Sequence, residues 1–309
     1  MWNELLPLLS KHGLHLWEVT PGYQKQPEGL PNADNYLHLS ANRFSLNTSL
    51  LTVKQFLNRN GLSHAARSTR VGRTDCVLRV LTAGGQGQDH LRIMRRLSRP
   101  PDILLCNNHI LPLIDEIIFE DIVIGVFPKI MHYLGEATYG SYMTSVEDLL
   151  HMVLQAFEVR SLFRSDSAPK LSSHKGIAYL HRNLIAHRVT IIYFAINIIS
   201  HSNAIQDVFM ENFLVEWLPE SINERSSMTR PRVYIIDFET AVEFPENSLE
   251  SERVCSSLPF PKEVYSRPVV PEAENGEAYC PFRMDVWQFG TELQDNIKVS
   301  HFFTQTRDC

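Results

Sequence analysis

The amino-acid sequence predicts an α+β fold, in which a small β-rich part precedes a larger helical part. Short runs with strand-like composition dominate residues 41–130, namely "RFSLNTSL", "DCVLRVL", "EIIFE" and "DIVIGVFP". One amphipathic helix interrupts them, "DHLRIMRRL", with Leu91, Met94 and Leu97 on a single stripe. From residue 144 the pattern becomes helical. Such segregation of strands from helices along a chain is typical of α+β proteins.

The chain divides into three predicted regions. Residues 1–40 form an N-terminal extension, in which a short helix precedes a stretch rich in proline, glycine and asparagine. The helix is predicted from the spacing of Leu5, Leu6 and Leu9. Residues 41–130 form the β-rich lobe and residues 131–309 the helical lobe, and we expect a cleft between the two.

The first helix of the helical lobe has a predicted start and a predicted buried face. Thr144 and Glu147 have the spacing of a capping box. Leu150, Leu154 and Phe157 recur at helical spacing and predict the apolar face.

Composition narrows the class of protein. A net charge of −6 argues against a nucleic-acid binder, which usually carries a basic excess. The five cysteines are widely spaced and form no CxxC pair, as expected for reduced thiols in the cytoplasm or nucleus. The N-terminus has no basic stretch or cleavage site of a signal peptide. The longest apolar run, "VTIIYFAINIIS", is too short to span a bilayer. We therefore expect an intracellular protein that binds neither nucleic acid nor membrane.

Six short motifs follow one another along the chain. "CVLRVL" is a strand before the "DHLRIM" helix, and "GIAYLHRNLIAHR" is a helix that runs into a His-Arg pair. "VYIIDFE" is a strand that ends in an aspartate, "RPVVPE" follows a long loop, and "DVWQFG" opens a helix. The polar and turn residues in these motifs are Arg79, His187, Arg188, Asp237, Pro271, Glu272 and Asp285.

In this order the motifs resemble the eukaryotic protein kinases, and in particular the large, divergent set of fungal (basidiomycete-type) kinase-like proteins. The resemblance covers roughly residues 70–295. It implies a two-lobed protein-kinase-like fold with a small β-rich N-lobe and a helical C-lobe. We expect the C-lobe to be truncated, because the chain ends soon after Asp285. The resemblance also implies ATP and Mg²⁺ as cofactors and an unknown protein as substrate.

The resemblance implies a role for each matching residue. Asp237 corresponds to the Asp-Phe-Gly aspartate, which holds Mg²⁺ against the phosphates. Arg79 stands where kinases place the lysine that binds the α- and β-phosphates. Asp285 corresponds to a structural aspartate that organises the catalytic loop. Pro271 and Glu272 match the end of the activation segment.

The catalytic base is displaced from its usual position. Kinases place an aspartate directly after the His-Arg pair, but a valine follows Arg188 here. Further on, Asp207 precedes Asn212 by five residues, which is the kinase spacing between the base and the second Mg²⁺ ligand. Removing residues 189–206 restores "IAHRDVFMENFLV". Valine codons begin with GT and a glutamine codon can be CAG, and these are the boundary letters of an intron. We therefore infer that this segment is an intron retained and translated in frame.

A second segment, residues 159–175, has the same character. It begins with a valine and ends with a lysine, whose codon can be AAG. Its removal gives "QAFEGIAYLHR", in which the stripe of Leu150, Leu154 and Phe157 continues to Ile177 without a break in period. We predict that both segments are non-native inserts that loop out of the fold.

These matches define the candidate site. The candidate catalytic residues are His187, Arg188 and Asp207. The candidate ATP-binding residues are Arg79, Asn212 and Asp237, of which Asn212 and Asp237 are also the candidate metal ligands.

Several residues depart from the kinase pattern. Arg79 replaces a lysine, and its planar guanidinium is not equivalent to an ammonium. The usual glutamate of the N-lobe helix falls on His90, beside Asp89, and no G-x-G-x-x-G loop precedes Arg79. Glu239 replaces the glycine of Asp-Phe-Gly, and Phe209 stands where many Ser/Thr kinases have a lysine.

Two functions therefore stay open. One is a protein kinase, with Ser/Thr rather than Tyr as acceptor, that is active in its correctly spliced, full-length form. The other is an inactive pseudokinase that acts as a binding or scaffolding module. In either case we expect the chain as written to be inactive.

Two other patterns favour structural interpretations. "AGGQGQ" (residues 83–88) has the glycines of a dinucleotide-binding turn, but the third glycine of that fingerprint would fall on His90. We predict a simple strand-to-helix turn. Histidines 174, 181, 187 and 201 lack the helical spacing of a metal site, and we expect His187 to be packed in the catalytic loop.

Overall fold

The computed structural model describes residues 1–21, 23–27, 55–56, 61–69, 74–105, 108–130, 132–134, 146–157, 176–188, 212–216, 231–261, 265 and 269–296. The chain divides into two compact units, residues 1–102 with 111–131 and residues 103–110 with 132–309. The described residues form a mixed α+β structure with six α-helices and four antiparallel sheets. The predicted α+β class is therefore confirmed.

The first unit is built on a five-stranded antiparallel sheet. Its elements are α1 (Trp2–Lys11), β1 (Leu14–Leu16), β2 (Glu18–Thr20), β3 (Tyr23–Lys25), β4 (Gln55–Phe56), β5 (Ser63–Ser68), β6 (Asp75–Thr82), α2 (Gln88–Leu97), β7 (Asp115–Phe119) and β8 (Ile122–Pro128). The main sheet has the order β1-β5-β6-β8-β7, and β2, β3 and β4 form a smaller sheet. A 3₁₀ helix, Asp102–Leu104, lies where the chain passes to the second unit.

The N-terminal residues belong to this first unit. The predicted helix is confirmed as α1, which buries Leu5 and Leu9 against the main sheet while Leu6 stays exposed. The strand β1 then pairs antiparallel with β5. Residues 1–16, which we predicted as part of an extension, thus supply a helix and an edge strand to the sheet.

The remaining predictions for the first unit concern strands and one helix. The runs "DCVLRVL", "EIIFE" and "DIVIGVFP" are confirmed as β6, β7 and β8. The amphipathic helix is confirmed as α2, with Leu91, Met94 and Leu97 buried. The run "RFSLNTSL" lies outside the described residues.

The second unit contains four helices and five short strands within its described residues. They are β9 (His132–Tyr133), α3 (Val146–Phe157), α4 (Gly176–Arg182), β10 (Ile185–Ala186), β11 (Phe213–Glu216), β12 (Arg232–Ile235), β13 (Val242–Glu243), α5 (Pro271–Glu274) and α6 (Pro281–Asn296), with a 3₁₀ helix at Glu250–Glu252. One sheet has the order β12-β11-β9, and β10 pairs with β13.

The buried face of α3 differs from the predicted one. Leu149, Met152 and Ala156 are buried, whereas Leu150 and Leu154 are 57% and 56% exposed. The helical period was right but its phase was wrong, because the segment "DLLHMVLQA" carries apolar residues on two neighbouring stripes. Leu150 and Leu154 therefore do not form a buried stripe that could continue to Ile177 once residues 159–175 are removed. The predicted N-cap residue, Thr144, lies outside the described residues.

The helix α4 begins in contact with the end of α3. Gly176 has φ +56°, and a Cβ at this position would run into the main-chain carbonyls of Gln155 and Ala156. Only glycine fits so close a backbone approach. The two described residues nearest the ends of the predicted insert 159–175, Phe157 and Gly176, thus belong to helices whose ends meet.

The predicted helix "GIAYLHRNLIAHR" is shorter than expected. It ends at Arg182, a turn follows at Asn183 and Leu184, and β10 then leads into His187. Among the described residues, no helix is both long and apolar enough to cross a lipid bilayer.

Candidate functional site

A buried carboxylate organises the second unit. Asp285 lies in the second turn of α6 and is fully buried. Its Oδ2 atom accepts a hydrogen bond from the main-chain N–H of His187 at 2.8 Å, and its Oδ1 atom accepts one from the main-chain N–H of Arg188 at 2.8 Å. The Nε2 atom of His181 lies 2.9 Å from Oδ2. Three donors thus offset the cost of burying this charge.

The main chain at Arg188 is held in an uncommon conformation. Arg188 has φ +53°, a region that non-glycine residues seldom adopt. Three contacts fix it there. Ile185 and Ala186 pair with β13 just before it, Asp285 binds its N–H, and the Thr240 hydroxyl donates to its carbonyl at 2.6 Å. Strained backbone of this kind persists where the surrounding structure over-determines it, and it is frequent at functional sites.

The His187 side chain connects this segment to the segment that carries Asp237. Its Nε2 atom lies 3.0 Å from the Ile236 carbonyl oxygen, to which it donates. Its ring packs edge-on against buried Phe238, with centroids 4.6 Å apart. The imidazole therefore contacts the residues on both sides of Asp237, and His187 is packed as we predicted.

Asn212 and Asp237 are brought close by a pair of strands. The strand β11 pairs antiparallel with β12, with Phe213 opposite Ile235. The ladder continues one step further, because the Ile236 N–H donates to the Asn212 carbonyl at 3.0 Å. Asp237 follows directly, at φ +69°. Asp237 is therefore the residue directly after the one that is hydrogen-bonded to Asn212, at the end of the β11–β12 ladder.

The chemistry of these two residues fits a magnesium ion bound with phosphate. Asn212 is buried, and its Nδ2 atom has no hydrogen-bond partner among the described residues. An unmet buried polar atom costs about 1–3 kcal/mol, and because Nδ2 is a donor, a hydrogen-bond acceptor such as a phosphate oxygen would be stabilising there. A carboxylate and an amide oxygen are hard oxygen ligands, which Mg²⁺ prefers together with phosphate oxygens and water.

The Arg188 guanidinium points to a different part of the second unit. Its Nη2 atom donates to the Ser257 carbonyl at 2.9 Å, and the Tyr279 hydroxyl donates to the same oxygen at 3.1 Å. Cys255 pairs with Tyr279 through two main-chain hydrogen bonds. Burial raises the pKa of the Cys255 thiol, an effect that the Arg188 charge opposes. Arg188 therefore stabilises the segment that precedes α5.

Arg79, the candidate phosphate ligand, belongs to the first unit. It lies on β6 between Ser63 of β5 and Gly125 of β8. On the neighbouring helix α2, His90 is buried, whereas Asp89 is solvent-exposed and pairs with Arg92 at 2.9 Å. The buried residue is therefore His90, and the carboxylate of Asp89 faces solvent instead. That Arg79 and Asp237 face a common cleft stays a prediction.

Asp207 and both predicted inserts, residues 159–175 and 189–206, lie outside the described residues. The nearest described residues on either side of the second insert are Arg188 and Asn212. The His187 ring and the Asn212 carbonyl both bond to Ile236. The described segments before and after the second insert thus both form a hydrogen bond with Ile236.

The glycine-rich segment forms a turn, as predicted. Ala83 pairs with Gln86, and the Gly84 N–H donates to the Asp121 carboxylate at 2.7 Å. Gly87, at φ +82°, then caps the start of α2, and a Cβ there would overlap the Leu81 carbonyl. A close approach to the preceding strand explains the glycine.

Of the four histidines, the structure describes His181 and His187, and each contacts a different protein group. His181 binds Asp285, and His187 binds Ile236. Within the described part of the chain, no group of three or more His, Cys, Asp or Glu side chains is arranged to hold a metal ion. Histidines 174 and 201 lie outside it.

Two contacts of this site were missed from the sequence. Thr240 and His181 fix the His187–Arg188 segment, but they are 52 and 104 residues away from their partners Arg188 and Asp285. Nothing in local periodicity marks such pairs.

No family model matches the chain, and no curated protein is significantly similar to it.

Proposed function

We propose that the chain is a two-lobed protein-kinase-like domain that binds Mg·ATP. In its correctly spliced, full-length form it transfers the γ-phosphoryl group to a protein hydroxyl, with Ser or Thr preferred over Tyr. One observation carries the proposal: Asp285 binds the main chain of His187 and Arg188, while the His187 side chain binds the residue before Asp237. Three motifs that are distant in sequence thereby meet at one point, as the resemblance implies.

The cofactor-binding part of the proposal assigns Asp237 and Asn212 to Mg²⁺ and Arg79 to the phosphates. The bound ion would neutralise charge on the β- and γ-phosphates. The buried amide of Asn212 and the carboxylate of Asp237 supply the oxygen ligands. The Arg79 guanidinium is always charged and can bind two phosphate oxygens at once, which compensates for the missing lysine.

The catalytic part of the proposal depends on joining Arg188 to Asp207. The hydrogen bond from the Arg188 N–H to Asp285 fixes the main chain at Arg188, and this fixes where the next residue begins. In the spliced chain that residue is Asp207, which would accept the proton of the acceptor hydroxyl, a step worth roughly 10²- to 10⁴-fold in rate.

The geometry of the described residues allows this junction. Only residues 207–211 would remain between Arg188 and Asn212. Five residues can span up to roughly 18 Å when extended. Because His187 and Asn212 both bond to Ile236, the gap to be closed is short.

Mg·ATP binding is tested by isothermal titration calorimetry of the protein from the full-length spliced cDNA, with ATP in the presence of Mg²⁺ or of a chelator. We expect binding that depends on Mg²⁺ and that Asp237→Asn and Asn212→Leu each weaken at least about tenfold, as expected when one ligand of a metal site is lost. The matched control is Asp121→Asn, a solvent-exposed carboxylate of the first unit. Equal Mg²⁺-dependent affinity in Asp237→Asn and the parent would contradict the assignment.

The pseudokinase alternative is favoured by one observation. The contacts of Asp285 with His187 and Arg188 are complete in a chain whose Arg188 is followed by a valine rather than by the base. The His187–Arg188 segment therefore keeps its conformation without a base in the next position, as an inactive binding module would. A spliced protein that binds Mg·ATP but transfers no phosphate would establish the binding-module function.

A further inference from the structure

The face of the main sheet that carries Arg79 also carries a row of apolar side chains. In antiparallel strands, residues opposite one another point to the same face, and every second residue along a strand shares that face. Val77 of β6 stands opposite Ala65 of β5 and opposite Phe127 of β8. Val77 is two residues from Arg79 along β6, a distance of roughly 7 Å. This face therefore presents an apolar surface beside a cation, which suits an aromatic ring that bears phosphate groups.

Trp17 belongs to the same row. Its main-chain N–H donates to the Ala65 carbonyl at 2.9 Å, which continues the β1–β5 ladder one residue beyond Leu16. The Trp17 side chain therefore points to the face of Ala65 and is only 2% exposed. The indole Nε1 atom is buried, with no hydrogen-bond partner among the described residues. The indole is thus placed on the sheet by packing rather than by a hydrogen bond to the described part of the chain.

Lys129 meets the indole from the other side of the sheet. Its main-chain N–H donates to the Asp75 carbonyl at 3.3 Å, and its Nζ atom lies 5.0 Å from the centroid of the Trp17 ring. The strands β5 and β6 separate β1 from β8, which places β1 and β8 roughly 14 Å apart at the usual strand spacing. The two side chains therefore extend toward each other over β5 and β6 and cover the sheet between them. Arg79, by contrast, is partly exposed.

We propose that Trp17 is a specificity-determining residue: it fills the apolar part of the nucleotide site, so that the site recognises an Mg²⁺-bound triphosphate and discriminates little between nucleobases. This inference rests on the proposed function, in which Arg79 binds the phosphates. A base that stacks on Ala65 and Val77 has to displace the indole, and the area that the base buries is then offset by the area that Trp17 exposes. Binding of phosphate at Arg79 requires no such displacement.

The test is isothermal titration calorimetry of the spliced full-length protein with ATP, GTP and inorganic tripolyphosphate, each in the presence of Mg²⁺. We expect the three Kd values of the parent to agree within about threefold. In Trp17→Ala the affinity for ATP and GTP should rise at least about tenfold, because the base can then bury its ring on the opened surface. The affinity for tripolyphosphate should stay the same.

The matched control is Trp2→Ala, which removes the other tryptophan described in the first unit. Trp2 lies on α1, packs against the core on the opposite face of the main sheet and contacts the His64 ring at 5.3 Å between centroids. Its removal should leave the ratio of the ATP and tripolyphosphate affinities unchanged. Where Trp17→Ala does not fold, Trp17→Leu replaces it under the same criteria, and the ratio measured for the parent is decisive by itself.

Three results overturn the proposal. One is a parent that binds ATP at least about tenfold more tightly than tripolyphosphate, since the base then contributes despite the indole. The second is a loss of ATP affinity in Trp17→Ala, which would make the indole a contact of the base. The third is an unchanged ratio in that variant. A parent that binds none of the three ligands contradicts the proposed function together with this proposal, whereas binding of all three with the wrong ratio contradicts the role of Trp17 alone.

Discussion

The Asp285 Oδ2 atom lies 2.8 Å from the main-chain nitrogen of His187, although 98 positions separate the two residues. This hydrogen bond and its neighbour to Arg188 join α6 to the segment after β10. The His187 ring extends the connection to Ile236 and Phe238. The candidate site of the second unit is therefore one hydrogen-bonded assembly around a single buried carboxylate.

Replacing this carboxylate should be costly. In Asp285→Asn one carboxylate oxygen becomes an NH₂ group, which cannot accept from a main-chain N–H. We expect the free energy of unfolding to fall by about 2–4 kcal/mol, because a buried donor is left unsatisfied and a charged hydrogen bond is lost. Chemical denaturation measures the change. Asp121→Asn is the matched control, since Asp121 also accepts from a main-chain N–H, that of Gly84, but at an exposed position. Similar losses in the two variants would contradict the account.

Gly176 should tolerate no side chain. Gly176→Ala places a methyl group against the carbonyls of Gln155 and Ala156, at a φ that disfavours alanine. We expect a loss of about 2–5 kcal/mol from overlap and backbone strain together. Gly276→Ala separates the two effects, because Gly276 has a similar positive φ but open space around it. It should cost only about 1–2 kcal/mol. Thermal unfolding of both variants measures the difference, and equal losses would argue against the close contact of α3 with α4.

Lys129 should make the stability depend on alkaline pH. Its Nζ atom lies 5.0 Å from the centroid of the Trp17 ring, and burial lowers its pKa from the ordinary 10.5 to about 8, an effect that the Asp75 charge opposes. Between those values the unfolded chain binds more protons than the folded one, so stability should rise with pH across that window. The rise is at most roughly 3 kcal/mol, at about 1.4 kcal/mol per pH unit.

The measurement compares the unfolding free energy of the parent and of Lys129→Met from pH 7 to pH 10.5. The difference between the two proteins isolates Lys129 from other groups that titrate at high pH. We expect the parent to gain stability relative to the variant as the pH rises. A constant difference would show that Lys129 has an ordinary pKa.

The insert 159–175 should be dispensable for folding. The end of α3 meets the start of α4 at Gly176, so deletion of residues 159–175 leaves Glu158 to bridge helices that already touch. We expect the unfolding midpoint to stay the same or to rise slightly, since a shorter loop costs less entropy to close. The control deletes residues 151–167, which has the same length but removes half of α3. Similar loss of structure in both deletions, measured by circular dichroism, would show that residues 159–175 are part of the fold.

Local patterns predicted the first unit best. Strands β6, β7 and β8 and helix α2 follow from alternation and helical spacing, which are properties of neighbouring residues. The same reasoning chose the wrong stripe on α3, because Leu149 and Leu150 are both apolar and only tertiary packing selects between them.

The candidate site depended on different information. The resemblance singled out Asp285, His187 and Asp237, and the first two are in contact. The contribution of His181 to this contact, 104 residues from Asp285, could not be predicted, since helical and strand periods carry no information about distant partners. The placement of Thr240 on the Arg188 carbonyl was missed for the same reason.

We propose that the spliced protein transfers phosphate with Asp207 as its base, and a radiolabelled-ATP assay with a generic protein acceptor decides whether it does. Three proteins are compared: the 309-residue chain, the product of the full-length spliced cDNA, and that product with Asp207→Ala. We expect transfer by the spliced protein alone, with Asp207→Ala reduced roughly 10²- to 10⁴-fold and the 309-residue chain silent. A spliced protein that is folded yet as silent as its Asp207→Ala partner would contradict the claim and establish the pseudokinase alternative.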